Sequence, residues 1–337
     1  MWKQPKVSVI IPVYNAGYRL RGCIDSLVGQ TLKDIELIFI VDCPTDGSDA
    51  VVDEYAGRFD NIVVIKNEYN LNTGMSRNRG MEVARGEYVA FCDHDDIVKE
   101  YMYEDMYAFG VEHDADIVLG VPEYSYPDKS LNETFYYPQE GDVRETLLPL
   151  IIGRDDSKPE WKFYFSHGMI WDNIYRLDLI KKNNIQFIDN NKVTFEDNLF
   201  LIETLIHANK AMVYNKLVYV HTIEASNTAA TAGFVRTDKI VNYVCYLDTL
   251  LNKYSLHRKY EENYVRSSCS YLKGCIRRES KQAGNRFKQT KRLLDWMKNN
   301  NILNTVFKTV SLNDFVYGST TTKAKIIDVI LYTYLKI

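Results

Sequence analysis

Short, mostly apolar runs alternate with amphipathic stretches over the first 121 residues of the chain. The runs are rich in Val, Ile, Leu, Phe and Tyr, and they fall at residues 7–13, 36–42, 61–66, 88–93 and 115–121. Such runs are typical of parallel strands that are covered on both faces. The stretches between them have helical lengths and occupy residues 18–28, 48–59, 74–84 and 99–112. The alternation predicts right-handed βαβ units and an α/β fold with an open, doubly wound, mainly parallel sheet.

The pattern becomes less regular after residue 121. One further short strand is predicted at 211–220, and from residue 234 onward the apolar spacing is helical without a strong strand signal. We therefore expect an α/β domain over residues 1–230, in two halves at 1–121 and 122–230. A helical C-terminal appendage is expected to follow over residues 231–337.

The composition excludes a disordered chain, because 46% of the residues are hydrophobic and 26% are charged. The six cysteines contain no C-x-x-C pair, which indicates free thiols in a reducing cytoplasm. No signal segment precedes the first strand, and no run reaches the roughly 18 apolar residues that a membrane span requires. A cytoplasmic protein is therefore expected.

The net charge of −4 conceals an asymmetry along the chain. Residues 251–300 hold 13 Lys or Arg against 4 Asp or Glu, whereas residues 1–250 are strongly acidic. A basic end favours contact with an anionic surface, such as the inner face of a cell membrane, although a solvated helical face explains the same pattern. No nucleic-acid recognition motif accompanies it, so no nucleic-acid partner is expected.

The last segment, residues 323–337, has helical spacing with Lys and Tyr at its flanks. It is too short to span a bilayer but long enough to lie on one. A helix docked on the body of the protein, or one that pairs two copies into a homodimer, is the alternative.

Carboxylates follow two of the predicted strands. Asp42 ends one strand, and Asp93 ends another, where His94, Asp95 and Asp96 come next. In open α/β sheets, ligands bind beyond the carboxyl ends of the strands. Three neighbouring carboxylates repel one another unless a cation intervenes, and Mg²⁺ or Mn²⁺ prefers such oxygen ligands. The alternative is that Asp95 and Asp96 cap the next helix. In an extended segment His94 points away from its neighbours, and we do not expect it to be a ligand.

Arg77 lies in a glycine-flanked segment, residues 74–80, at the start of a predicted helix. Glycine permits close backbone approach, and the first-turn N–H groups together with Arg77 can meet a phosphate or carboxylate. Alternatively, Arg77 pairs with Asp93 or Asp42 and locks the acidic loop.

Glu196 and Asp197 stand immediately before the apolar stretch 199–206. Taken alone, this pair favours an ordinary acidic start to a helix over a functional role.

Taken together, these motifs resemble those of the family-2 glycosyltransferases, which are inverting enzymes of the GT-A fold. The resemblance is carried by four motifs in order, residues 7–15, 36–48, 72–80 and 86–96, the last containing a D-x-D-D segment. It is looser at Trp171 to Arg176 and at Glu196-Asp197.

The resemblance implies roles for the matching residues in binding a nucleotide-sugar donor. Pro12 and Tyr14 would frame the nucleotide pocket, and Asp42 would meet the uracil or ribose. Arg77 would lie near the base or the acidic loop. Asp93 would face both the ribose and a metal ion. The half over residues 1–121 would then bind the donor, and the half over 122–230 the acceptor.

The same resemblance implies the catalytic chemistry. Asp95, with Asp93, would hold Mn²⁺ or Mg²⁺ against the diphosphate of the donor, and Asp197, with Glu196 beside it, would be the general base. The implied function is transfer of a sugar from a UDP-sugar to a saccharide or lipid-linked saccharide acceptor in cell-surface polysaccharide synthesis.

Three features depart from the family pattern. Val41 stands where a second acid or Asn is usual, and Cys43-Pro44 replaces a pair of small residues, so the loop that binds the base has a different shape. His221 stands where Arg is common and could approach the diphosphate or metal, although a surface or packing histidine is the favoured interpretation. No Q-x-x-R-W motif occurs, which argues against the processive synthases.

Two other functions are compatible with the motifs. A catalytically inactive homologue would bind a sugar nucleotide as a scaffold and lack the base, which Glu196-Asp197 argues against. A sugar nucleotidyltransferase should carry a glycine-rich basic loop after the first strand, and residues 14–18 here have no basic phosphate clamp.

Overall fold

The computed structural model describes residues 4–126, 133–134, 141–153, 169–222, 236–282, 286–316, 328–329, 331–333 and 335. The chain divides into two compact units. The first comprises residues 1–148, 167–191 and 195–233, and the second comprises 149–166, 192–194 and 234–337. The domain boundary predicted at residues 230 and 231, and most of the terminal segment 323–337, lie outside the described residues.

One mixed sheet forms the centre of the first unit. Its strands are β1 (Val7–Val13), β2 (Ile35–Val41), β3 (Ile62–Lys66), β4 (Tyr88–Phe91), β5 (Ile97–Val98), β6 (Ile117–Ser125), β7 (Glu133–Thr134), β8 (Asn173–Arg176) and β9 (Ala211–Thr222). They are arranged in the order β3-β2-β1-β4-β8-β6-β9-β5, with β7 paired to β6. The pairings of β1 with β2 and β4, of β2 with β3, and of β6 with β9 are parallel, whereas β8 runs antiparallel to both of its neighbours.

Helices cover both faces of this sheet. They are α1 (Arg19–Val28), α2 (Ser48–Ala56), α3 (Asn72–Val83), α4 (Met102–Glu112), α6 (Leu177–Asn183) and α7 (Glu196–His207), whereas α5 (Arg144–Gly153) begins in the first unit and ends in the second. On one face α3 lies directly on β1, because a Cβ atom at Gly80 would stand 2.4 Å from Cγ2 of Ile10. On the other face the Sγ of Cys23, in α1, lies 3.8 Å from that of Cys92. Strands covered on both sides explain the continuous apolar runs of the sequence.

The second unit is helical where it is described. Its helices are α8 (Thr237–Lys253), α9 (Glu261–Gln282), α10 (Arg286–Lys298), α11 (Asn301–Thr309) and α12 (Leu312–Val316). Tyr243 of α8 packs edge-on against Tyr271 of α9, with ring centroids 5.3 Å apart. Asn300 caps α11, its side-chain oxygen accepting hydrogen bonds from the next turn. Within the described residues, no helix has the length and apolar character needed to cross a membrane.

The predicted fold class, a GT-A-like, mainly parallel sheet with a helical C-terminal appendage, is confirmed. Element ends differ by a few residues, and two differences matter for the site. The fourth strand ends at Phe91 instead of Asp93, so the acidic segment lies wholly beyond the sheet. The strand β8, which the sequence analysis did not predict, inserts between β4 and β6. Its four residues are too few to show a periodic pattern.

Candidate functional site

The side chain of Arg77 joins two of the acidic motifs. It extends from α3, is 2% exposed, and donates from Nη2 to Oδ1 of Asp93 at 2.8 Å. Its Nη1 donates to Oδ1 of Asp197 and lies 3.8 Å from Oε1 of Glu196. A buried guanidinium is stable only when carboxylates pair with it. The structure thus brings together segments of the chain that lie 120 residues apart, and Arg77 pairs with Asp93 and not with Asp42.

The start of α7 sets the position of Asp197. Phe195, just before the helix, has a left-handed backbone with φ of 58°, which turns the chain sharply into the first helical turn. Phe200, in the next turn, stacks on Phe187 at 4.1 Å and meets Phe91 edge-on. The guanidinium of Arg77 lies 5.4 Å from the centre of the Phe187 ring. The guanidinium of Arg77 therefore packs against an aromatic cluster formed by Phe91, Phe187 and Phe200.

The carboxyl of Asp197 is partly buried and lies beside one cation, Arg77, and two other acids, Glu196 and Asp93. Burial raises the pKa of the Asp197 carboxyl well above its ordinary value, and the charges of Glu196 and Asp93 raise it further, while Arg77 lowers it. Its side chain remains 28% exposed. A carboxylate with a raised pKa that still reaches solvent has the properties of a general base.

The acidic segment after β4 divides into two parts. Asp93 is 29% exposed and Asp95 is 21% exposed, the latter 3.4 Å from Nη2 of Arg19. Asp96 is fully buried instead and accepts hydrogen bonds from the Tyr219 hydroxyl, from Nδ1 of His221 and from the backbone N–H of Thr222. Two carboxylates thus face outward and the third anchors the segment.

The capping interpretation of Asp95 and Asp96 is wrong. The element that follows them is the strand β5, and α4 begins only at Met102. The burial of Asp96 raises the pKa of its carboxyl, as do the charges of Asp93 and Asp95, while its hydrogen bond with His221 lowers it. A buried acid held by three donors serves as a structural anchor.

The oxygen atoms available to a metal ion are few. Among the described residues, no group of three or more His, Cys, Asp and Glu side chains is placed to hold a metal ion. Mg²⁺ is commonly bound through only one or two carboxylates, with the phosphates of a substrate and water completing its shell. Asp93 and Asp95 are partly exposed and supply hard oxygen donors, so this donor set fits such an ion. The assignment of Asp93 and Asp95 as ligands stays a prediction.

Three of the residues predicted to bind a nucleotide, Pro12, Tyr14 and Asp42, lie at the carboxyl ends of β1 and β2. Pro12 accepts a hydrogen bond from Nδ1 of His94 at 3.0 Å through its backbone carbonyl. The ring of Tyr14 is 46% exposed. The expected orientation of His94, away from the acids, agrees with this contact.

Asp42 has a structural role that the sequence analysis did not foresee. It is 2% exposed, and its Oδ1 accepts from Asn67 at 2.6 Å and from the backbone of Leu71 at 2.8 Å. Its Oδ2 accepts from the backbone of Asn72 at 2.9 Å. Asp42 therefore holds the start of α3, the helix that carries Arg77. A direct contact of Asp42 with a nucleotide stays a prediction.

Three aromatic residues stack beside the acidic segment, and of these only His221 was given an expected role from sequence, with packing favoured. The ring of Trp171 stacks on Tyr219 at 4.5 Å and on His221 at 5.0 Å. Burial lowers the pKa of His221, but its hydrogen bond to Asp96 and the charge of that acid outweigh burial and raise it. Residues 219 and 221 are two positions apart along β9, so their side chains lie on the same face of the sheet. This period-two pattern accompanies the looser resemblance at Trp171 and the position of His221 as the sequence signals of the cluster.

Comparison with known proteins relates the chain to glycosyltransferases. The model of the family described as "Glycosyl transferase family 2" matches residues 8–173. The chain is 31% identical to the uncharacterized glycosyltransferase YibD of Escherichia coli (strain K12) over 266 residues, which is 77% of this chain and 73% of YibD. It is 30% identical over 229 residues to the poly(ribitol-phosphate) beta-N-acetylglucosaminyltransferase TarP of Staphylococcus aureus (strain N315), covering 66% of this chain and 65% of TarP.

A solved structure shares the fold. The crystal structure of S. aureus TarS residues 1–349, in complex with UDP-GlcNAc, aligns with a TM-score of 0.67 and 22% identity. The alignment covers 98% of this chain and 90% of that one.

Proposed function

The chain belongs to glycosyltransferase family 2, and from this membership we propose that it transfers a sugar, with inversion, from a UDP-sugar to a hydroxyl of a saccharide or lipid-linked saccharide. The observation that carries the proposal is the Arg77 cluster. This side chain is bonded on one side to Asp93, at the predicted donor site, and on the other to Asp197, the predicted base. Because one guanidinium contacts both the predicted donor site and the predicted base, donor and base lie close together, as a direct displacement requires.

The donor end of the site consists of the outward-facing acids. We propose that Asp93 and Asp95 hold Mg²⁺ or Mn²⁺, with Pro12, Tyr14, Asp42 and Arg77 around the nucleotide. Such an ion supplies charge neutralisation for the diphosphate as it leaves. The presence of UDP-GlcNAc in the TarS complex supports a uridine nucleotide as the donor.

The catalytic end consists of Asp197 and its neighbours. Asp197 accepts the proton of the acceptor hydroxyl as that oxygen attacks the anomeric carbon, and the bond from this carbon to the diphosphate oxygen breaks. The raised pKa of Asp197 increases its affinity for that proton. Arg77 keeps Asp197 and Asp93 in a fixed relative position, and Glu196 adds the negative charge that offsets the guanidinium.

Two observations support the proposed acceptor class: the name of a relative and the basic charge of residues 251–300. TarP is by its name a poly(ribitol-phosphate) glycosyltransferase, which supports a cell-surface polymer as the acceptor class. The excess of Lys and Arg over residues 251–300 suits contact with an anionic polymer or with the inner face of a membrane.

A thermal-shift screen of UDP-, GDP- and dTDP-sugars, each with and without Mn²⁺, tests the proposal. We expect one or more UDP-sugars to raise the melting temperature strongly, and only when Mn²⁺ is present, because a ligand that binds only the folded state stabilises it. No stabilisation by any nucleotide sugar would contradict the proposed function. Strong stabilisation without release of UDP in the presence of saccharide acceptors would favour an inactive, scaffold-type homologue.

A further inference from the structure

The backbone N–H of Asp93 is held by a side chain instead of by a neighbouring strand. Since β4 ends at Phe91, the N–H of Asp93 has left the sheet, and it donates to the Tyr219 hydroxyl at 3.1 Å. The carbonyl of the same residue accepts from the thiols of Cys23 and Cys92 at 3.5 and 3.4 Å. The carbonyl also accepts from the backbone N–H of Asp96 at 3.3 Å, so it is the N–H of Asp93 that depends on one distant side chain.

The Tyr219 hydroxyl has a fixed direction. It donates its proton to Oδ2 of Asp96 at 2.9 Å, so its lone pairs remain for the N–H of Asp93. Asp96 is itself fixed, because its oxygens also accept from His221 and from the backbone of Thr222. The ring of Tyr219 is fully buried and stacked on Trp171, which prevents the hydroxyl from swinging away.

This hydroxyl connects the two outward-facing acids to the buried one. Asp93 and Asp95 flank a single residue, so a rotation of the peptide unit at Asp93 moves both carboxylates. Mg²⁺ demands nearly ideal octahedral geometry, and small shifts of its ligands are costly. Partners that orient metal ligands typically contribute about 10- to 100-fold to metal affinity.

We propose that Tyr219 is a positioning residue whose hydroxyl sets the direction of the Asp93 and Asp95 carboxylates for a divalent cation and the diphosphate that it carries. The inference rests on the proposed function, because it concerns the same metal and donor. Tyr219 lies in β9, outside all four sequence motifs, so the inference gives this strand a part in orienting the acids.

Calorimetric titration of Mn²⁺ into the full chain in the presence of excess UDP tests the proposal without any turnover. Tyr219→Phe removes only the hydroxyl oxygen. Its matched control is Tyr103→Phe, since Tyr103 is also fully buried and its hydroxyl has no hydrogen-bond partner in the described part of the chain. We expect Tyr219→Phe to weaken Mn²⁺ binding by roughly 10- to 100-fold, and Tyr103→Phe to leave it unchanged. Thermal unfolding without ligand establishes that both variants are folded.

The outcomes separate this inference from the function on which it rests. If the wild-type chain binds no UDP in the presence of Mn²⁺, the proposed function fails. If the wild type binds but Tyr219→Phe has the same Mn²⁺ affinity, the positioning role is wrong. Should Tyr219→Phe not fold, Asp96→Asn is titrated instead, because it removes the charge that orients the hydroxyl, and an unchanged Mn²⁺ affinity there equally overturns the role.

Discussion

At the scale of single residues, the site holds more acidic than basic side chains. Arg77 brings one positive charge to Asp93, Glu196 and Asp197, so the cluster carries an excess of negative charge. Burial raises the pKa of Asp197 and this excess raises it further, and the same excess would favour a cation at Asp93. The same imbalance therefore serves both ends of the proposed reaction.

Asp197→Asn removes the proposed base while preserving its size. We predict a fall in turnover of roughly 10² to 10⁴, the range for a lost acid–base group. The control is Asp178→Asn, a solvent-exposed acid of α6, which should have ordinary activity. Release of UDP in the presence of saccharide acceptors measures both, and near-normal turnover in Asp197→Asn excludes Asp197 from the role.

Asp172 allows a second prediction at this scale. It is 1% exposed, both carboxylate oxygens are without hydrogen-bond partners in the described part of the chain, and burial raises its pKa to about 7. The folded state therefore binds a proton that the unfolded state, with an Asp pKa of about 3.9, has lost. Stability contributed by Asp172 falls as the pH rises from the unfolded to the folded pKa, by at most about 4 kcal/mol.

Asp172→Asn should consequently be more stabilising at high pH than at low pH. We expect its melting temperature to exceed that of the wild type at pH 8 by more than at pH 4, since only at pH 8 is the wild-type carboxylate charged. Thermal unfolding at the two pH values measures this difference. An equal difference at both values would show that Asp172 does not titrate with a raised pKa.

At the scale of elements, the site depends on how closely α3 approaches β1. Gly80 permits this approach, since an added Cβ would meet the side chain of Ile10 at 2.4 Å. Gly80→Ala gains about 1 kcal/mol of helix propensity but introduces overpacking that typically costs about 1–3 kcal/mol. We predict a net loss of stability in urea unfolding and a displaced Arg77.

The matched control for Gly80→Ala is Gly22→Ala in α1, in the same unit. The added Cβ there would meet only Cδ1 of Ile97 at 3.4 Å, an ordinary contact. That variant should be neutral or slightly stabilised. A Gly80→Ala protein as stable as Gly22→Ala would show that the contact between α3 and β1 has more room than the structure indicates.

The elements also show where sequence reasoning succeeds and where it stops. The apolar runs predicted the strands of the first half best where every residue is buried, as in β1 and β2, and the edge strand β3 is only partly buried. The acidic motifs could be located because they follow those strands directly. By contrast, β8 has four residues and no periodic signal, and the hydrogen bond from Asp93 to Tyr219 joins residues 126 positions apart. Asp42 was assigned to the nucleotide from its motif, and its contacts with Leu71 and Asn72 could not be foreseen.

At the scale of the whole molecule, charge is distributed unevenly between the two ends of the chain. The excess of Lys and Arg over residues 251–300 predicts binding to anionic vesicles, with each basic residue near the surface contributing about 1 kcal/mol. We expect the full chain to sediment with phosphatidylglycerol vesicles but not with phosphatidylcholine vesicles, and less at high salt.

Charge reversal distinguishes a binding surface from a solvated helical face. Lys291→Glu with Arg292→Glu changes two exposed residues of α10, and Lys182→Glu changes an exposed residue of α6 as the control. The double variant should sediment less than the wild type, and the control should not differ from it. Equal sedimentation of all three proteins would indicate that the basic region is simply solvated.

The proposed function depends most on the outward-facing acids that follow β4. Its most direct test is calorimetry of UDP-GlcNAc binding to the wild type and to Asp95→Ala, each with and without Mn²⁺. We predict that Mn²⁺ strengthens binding to the wild type and has no such effect on Asp95→Ala, whose affinity should equal that of the metal-free wild type. Equal affinities for the two proteins in the presence of Mn²⁺ would contradict the account.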